Sequence, residues 1–75
     1  GVVGASDAKA LVDSLTAREI EIVKLVAENL VSRTIGERLG IATRTVEVHR
    51  ANALKKLGVK TPEEIKRLLT AAKGA

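Results

Sequence analysis

Cysteine is absent from the 75 residues, and so are phenylalanine, tyrosine, tryptophan and methionine. Without thiols there is no disulfide and no thiolate metal site. A single histidine cannot assemble a histidine-rich site, so no metal and no cofactor is expected. Without aromatic rings there is no platform for unpaired bases to stack on, which argues against a single-strand binder. The core must be Leu, Ile, Val and Ala, each large one contributing roughly 1.5–3 kcal/mol when fully buried. Long apolar runs are missing too. Lys24 interrupts Ile22–Ala27, and no transmembrane helix fits. Gly1–Ser6 lacks the basic and apolar parts of a signal peptide. A cytoplasmic protein without membrane attachment is the expectation. A chain this short forms one domain at most and buries a modest fraction of its surface. With no nucleophile–base pair, carboxylate dyad or Gly-rich phosphate loop, an enzyme is not expected.

What the chain does have is positive charge in one place. Its formal net charge is +4. Residues 1–32 carry Lys9, Arg18 and Lys24 against Asp7, Asp13, Glu19, Glu21 and Glu28, a net of −2. Residues 33–60 carry Arg33, Arg38, Arg44, Arg50, Lys55, Lys56 and Lys60 against Glu37 and Glu47, a net of +5. Such a concentration attracts polyanions. A solvated basic face without a partner would have the same composition.

Punctuation along the chain is helical throughout, and no strand-period segment of useful length occurs. Ala8, Leu11, Val12 and Leu15 have helical spacing, consistent with a short helix near Asp7–Asp13 inside a linker or N-terminal extension spanning 1–14. Thr16 and Glu19 form a capping-box pair, with Leu15 and Ile20 placed for a hydrophobic staple. From there a helix runs to about Asn29, with Ile20, Val23, Ala27 and Leu30 inward and Ile22 and Val26 widening the stripe. Ser32–Leu39 reads as a second helix stopped by Gly40, and Thr43–Leu57 as a third stopped by Gly58. Thr61-Pro62-Glu63-Glu64 opens a fourth, with a capping Thr, Pro at the first helical position and a Glu to close a box. Its stripe is Ile65, Leu68, Leu69 and Ala72. The expected fold is all-α, a four-helix bundle over 15–75 with a central helix-turn-helix, because Leu39-Gly40-Ile41 is the punctuation of that motif. Two helices packed for stability alone would look similar.

The third helix separates into faces at about 100° per residue. Val46, Ala53 and Leu57 share the inward side, with Leu54 on its shoulder. Arg44, Val48, Ala51 and Lys55 share the opposite side, which is small or basic. A helix in a duplex major groove needs little bulk, donors for base edges and methyl-sized contacts. Val48 suits a thymine methyl, and Arg44 a guanine or a phosphate. Glu47, on the edge, suits a cytosine amine, or an internal pair with Arg44 or Arg50. Thr45, His49, Asn52 and Lys56 line one flank and would track a phosphate strand. For His49 a hydrogen bond to a backbone carbonyl is the alternative. Arg50 leans inward with its head able to reach out. Arg33 and Thr43, at helix starts, suit phosphates as well.

Leu15-Thr16-Ala17-Arg18-Glu19, Ile35-Gly36-Glu37-Arg38-Leu39-Gly40-Ile41, Thr45-Val46-Glu47-Val48-His49-Arg50 and Lys56-Leu57-Gly58-Val59 follow one another in the order and spacing of a known family. Over about residues 15–70 the chain resembles the LuxR-type helix-turn-helix domains, and the run from Thr45 to Asn52 the FixJ branch of response regulators. The resemblance implies double-stranded DNA as partner, the third helix in the major groove, and a homodimer through the fourth helix at Ile65, Leu68, Leu69 and Ala72. It also implies a missing N-terminal regulatory domain. Carried over by position, groove contacts fall on Glu47, Val48 and Ala51, and backbone contacts on Arg33, Thr43, Thr45, Arg50, Asn52 and Lys56. The chain departs from the family's pattern at Asn29, Val31, Thr34 and Ala42, positions that touch caps and surface rather than the core. Region four of a sigma factor shares the Leu-Thr-x-Arg-Glu opening and would bind promoter DNA while docked on RNA polymerase. A protein-interaction module with a basic face is a further alternative.

Overall fold

The computed structural model describes residues 4–74 and contains five helices among them: α1 Ala5–Asp13, α2 Ala17–Ala27, α3 Ser32–Leu39, α4 Thr43–Leu57 and α5 Pro62–Lys73. The expected four-helix arrangement is present as α2 to α5. The short helix placed near Asp7–Asp13 is α1, and it packs extensively on α5. Ala8 of α1 is wholly buried in the common core, and Leu11 and Val12 pack against it.

Each helix boundary has a local cause. At the start of α2 the Thr16 hydroxyl accepts from the Glu19 amide (3.1 Å) while the Glu19 carboxylate accepts from the Thr16 amide (2.8 Å), a complete capping box. At α5 the Thr61 hydroxyl accepts from the Glu64 amide (3.2 Å). There the box expected from the sequence closes differently, because the Glu64 carboxylate takes the Thr61 hydroxyl (3.1 Å) instead of the Thr61 amide. Three helices end on one device, a left-handed residue followed by an aliphatic one. Asn29, Gly40 and Gly58 have φ of 66°, 70° and 68°. The next amides then reach back five residues, from Leu30 to the Leu25 carbonyl (3.2 Å), Ile41 to Gly36 (2.9 Å) and Val59 to Leu54 (3.3 Å). Leu30, Ile41 and Val59 pack against the core, the apolar contact that accompanies such Schellman turns.

The core is Leu15, Ile22, Val23, Val26, Ile35, Val46, Leu57, Ile65 and Leu68 with small Ala8, Ala27 and Ala53 between them. α2 lies against both α4 and α5, and α3 against α4. Being flanked on two sides rotates the buried face of α2 from the expected one. Glu19, Ile22, Val23, Val26 and Ala27 are buried, while Ile20 and Leu30 are only half-buried. α5 also differs from a face offered to a second copy. Ile65 and Leu68 are 0% and 5% exposed, because α1 and α2 pack against that helix. Leu69 and Ala72 remain half-buried.

The α3–α4 turn is tight. Gly36 is buried, and a β-carbon there would lie 2.6 Å from the Ile41 carbonyl oxygen, far inside van der Waals contact. Only glycine lets α3 approach the turn this closely.

Candidate nucleic-acid interface

α4 is held by its inner side. Val46 and Ala53 are wholly buried and Leu57 nearly so, with Leu54 half-buried beside them. That anchoring turns the remaining side outward. Arg44, Glu47, Val48, Ala51 and Lys55 are all exposed, and Val48, at 53%, is one of two large apolar side chains left in solvent among the described residues. Thr43, Thr45, Asn52 and Lys56 are exposed along the flank, and His49 and Arg50 are half-buried. Arg33 is exposed in the first turn of α3. One continuous, lean face therefore carries Arg44, Thr45, Glu47, Val48, Ala51, Asn52, Lys55 and Lys56, with His49 at its edge, whereas Arg50 lies towards the inner side beside Leu54 and Leu57.

The cations of this region are available. Among the described residues, Arg33, Arg38, Arg44, Arg50, Lys55 and Lys60 form no ion pair. Among the described residues Glu47 pairs with neither Arg44 nor Arg50, and His49 makes no hydrogen bond to a backbone carbonyl. Both alternatives raised by the sequence for these two side chains are thus unoccupied.

Backbone donors are available as well. Val31 and Ala42, which precede α3 and α4, supply no side-chain cap. The first-turn amides of both helices consequently lack a side-chain partner, whereas those of α2 and α5 have one. Uncapped helix starts carry partial positive charge and free donors that suit phosphate oxygens.

Lys56 is the exception among the cations. Its ammonium lies 2.8 Å from the buried carboxylate of Glu19, which also caps α2. This one carboxylate ties the recognition-helix candidate to the start of α2. The Lys56 ammonium, the Thr16 amide and the charge of Lys56 hold the Glu19 carboxyl below the ordinary glutamate range, against a smaller opposing effect of burial. The capping motif marked Glu19 in the sequence, but its second partner is 37 residues away and carried no local signal. Among the described residues no cluster of His, Cys, Asp or Glu is placed to hold a metal ion. No described helix is long and apolar enough to cross a membrane.

A surface of this kind, a helix-turn-helix offering a slim cationic helix, defines a DNA-binding module. The model of the GerE family, the bacterial regulatory proteins of the luxR family, matches residues 13–69, and the chain belongs to that family. It is a LuxR-type helix-turn-helix DNA-binding domain of transcriptional regulators, a family of regulators and not of enzymes. Among curated proteins it is similar to the C4-dicarboxylate transport transcriptional regulatory protein DctR of Rhodobacter capsulatus, 49% identical over 67% of the chain and 25% of that protein. It is similar to the transcriptional regulatory protein UhpA of Escherichia coli, 40% identical over 73% of the chain and 28% of that protein. It is also similar to the transcriptional regulatory protein LiaR of Bacillus subtilis, 49% identical over 63% of the chain and 22% of that protein. The chain thus spans about a quarter of the length of these relatives. No solved structure gives a significant match.

Proposed function

We propose that the domain reads a specific duplex sequence by laying α4 in the major groove, as the cytoplasmic output end of a longer regulator that also carries an N-terminal receiver. The observation that carries this reading is the outward face of α4, with Val48 and Ala51 between Arg44 and Lys55 and, among the described residues, no acid engaging the two cations. Val48 and Ala51 supply apolar contact to base edges, and Arg44, Glu47 and Lys55 supply donors and an acceptor. Arg33, Thr43, Thr45, His49, Arg50 and Asn52 supply the backbone contacts, together with the uncapped starts of α3 and α4. Lys56 contributes less to phosphate binding than its position suggests, because Glu19 already neutralises it.

Titration of labelled duplexes at several salt concentrations tests the reading. Arg50→Ala is expected to weaken binding to every sequence and to flatten the slope of log K against log salt by about 0.9 per lost phosphate contact. Val48→Ala is expected to change preference at one or two base pairs, by about 1–3 kcal/mol each. Equal losses on all duplexes for Val48→Ala contradict base readout at that position.

Two copies on neighbouring half-sites fit the same reading, with centres about 34–36 Å apart on the duplex. For pairing through α5, Leu69 and Ala72 are the residues within reach, since Ile65 and Leu68 lie inside the monomer. The exposed charged residues of α5 are Lys66, Arg67 and Lys73 against Glu63, so a second copy would meet mostly like charge. Pairing on DNA rather than in free solution is the form this reading takes.

A further inference from the structure

We propose that a groove between α1, α2 and α5 is a docking surface for an acidic amphipathic helical segment of a partner protein. The groove encloses about 530 Å³. Its floor is aliphatic, built from Val12 of α1, Ile20 of α2, and Leu69 and Ala72 of α5. Lys24 and Lys73 stand on its rim, and among the described residues neither has an acidic partner. Lys9 and Asp13, also on the rim, neutralise each other at 2.7 Å. An apolar floor flanked by two unanswered ammonium groups is complementary to apolar side chains flanked by carboxylates.

Other occupants fit less well. A small molecule is ordinarily enclosed over about 70–90% of its surface. Here every lining residue is exposed or half-exposed, so the groove can hold one side of a helix but cannot close over a ligand. A phosphate chain gains nothing from the aliphatic floor. A second copy would bring its own Lys24 and Lys73 to the same place, so like charge keeps it out in free solution, and only pairing on DNA through Leu69 and Ala72 would compete with the segment. α3 and α4 contribute nothing to the lining, so occupation leaves the duplex-binding face free. Lys9, Val12, Ala72 and Lys73 lie outside residues 13–69 matched by the family, so half of the groove is built from parts the family pattern does not describe.

A synthetic helical peptide tests the proposal, with Trp and Leu four residues apart and Glu on either side of them. The chain has no aromatic residue of its own, so the peptide's tryptophan is the sole emitter. A saturable blue shift is expected, with methyl chemical-shift changes gathered at Val12, Ile20 and Leu69. The double variant Lys24→Glu, Lys73→Glu is expected to weaken binding about tenfold or more. It should instead accept the peptide in which Lys replaces Glu. Unchanged helical circular dichroism of that variant establishes that the fold is intact, and because the readout is peptide binding with no duplex present, failure here is separate from failure of the DNA reading. Shifts gathered at Val48 and Ala51 overturn the proposal, since they mean charge-driven binding to the DNA face. Equal binding by a peptide with scrambled apolar spacing overturns it too. So do decanoate reproducing the methyl shifts more tightly than the peptide, and concentration-dependent shifts of those methyls without any peptide, which would make the occupant a small amphiphile or a second copy.

Discussion

Removing the Glu19 carboxylate is expected to destabilise the domain well beyond an ordinary surface substitution. In Glu19→Ala the Thr16 amide loses its acceptor at 2.8 Å and the Lys56 ammonium its partner at 2.8 Å, while the Thr16 hydroxyl keeps the residue-19 amide. A hydrogen bond to a charged group contributes about 1.5–3 kcal/mol when well sheltered. The Lys56 side chain is 40% exposed and can return to water, so its share falls towards the surface value of about 0.2–1 kcal/mol. Residue 19 is 3% exposed, and shortening its side chain leaves a small void. Together these losses come to about 2–4 kcal/mol, out of a total of roughly 4–11 kcal/mol for a domain of this length. The midpoint of thermal unfolding should fall by about 10–30 °C. Far-UV circular dichroism is the readout, since the chain has no aromatic reporter. The acid limb adds a second signature. The native carboxyl titrates below its ordinary value of 4.5, so its stabilisation is complete above that pH. It is lost as the pH falls through the native value. Glu19→Gln, which can still accept from the Thr16 amide, should lose less at neutral pH and show no such component in acid. A double-mutant cycle with Lys56→Ala should give a coupling of about 0.5 kcal/mol or more. Additive single effects, or a Glu19→Ala loss under about 0.5 kcal/mol, the range of unremarkable surface changes, would refute the reasoning.

Gly36→Ala places a methyl 2.6 Å from the Ile41 carbonyl oxygen, and backbone rather than a pliable side chain must move. A loss of about 1–3 kcal/mol or more is expected, with weakened duplex binding because α4 shifts with the turn. Ala42→Ser supplies α4 with the cap it lacks. Chemical denaturation should report a gain of about 1 kcal/mol. Sedimentation of the free domain at high concentration should report a monomer, since Ile65 and Leu68 are already used inside the chain. A stable dimer lost in Leu69→Asp would show instead that α5 pairs without help from DNA.

The local signals were legible from residues alone. Thr16 with Glu19, Gly40, Gly58 and Thr61-Pro62 act within four or five residues, and the spans Ser32–Leu39 and Thr43–Leu57 came out with the same ends in the structure. The two-sided character of α4 was legible too, because Val46, Ala53 and Leu57 return to one side of any α-helix whatever surrounds it. The apolar stripe of α2 was less so. With Ile20, Ile22, Val23, Leu25 and Val26 all aliphatic, periodicity admits several centres, and the burial of Ile22 and Val26 over Ile20 depends on which helices lie alongside.

Sequence alone therefore determined where α3 and α4 begin and end and which side of α4 faces out, since capping, left-handed stops and helical pitch are short-range effects. Tertiary structure alone decided that α1 joins the core, that Ile65 and Leu68 are spent inside the monomer, and that Glu19 meets Lys56 across 37 residues. Those outcomes depend on how whole helices pack, and no window along the chain contains both partners of such a contact.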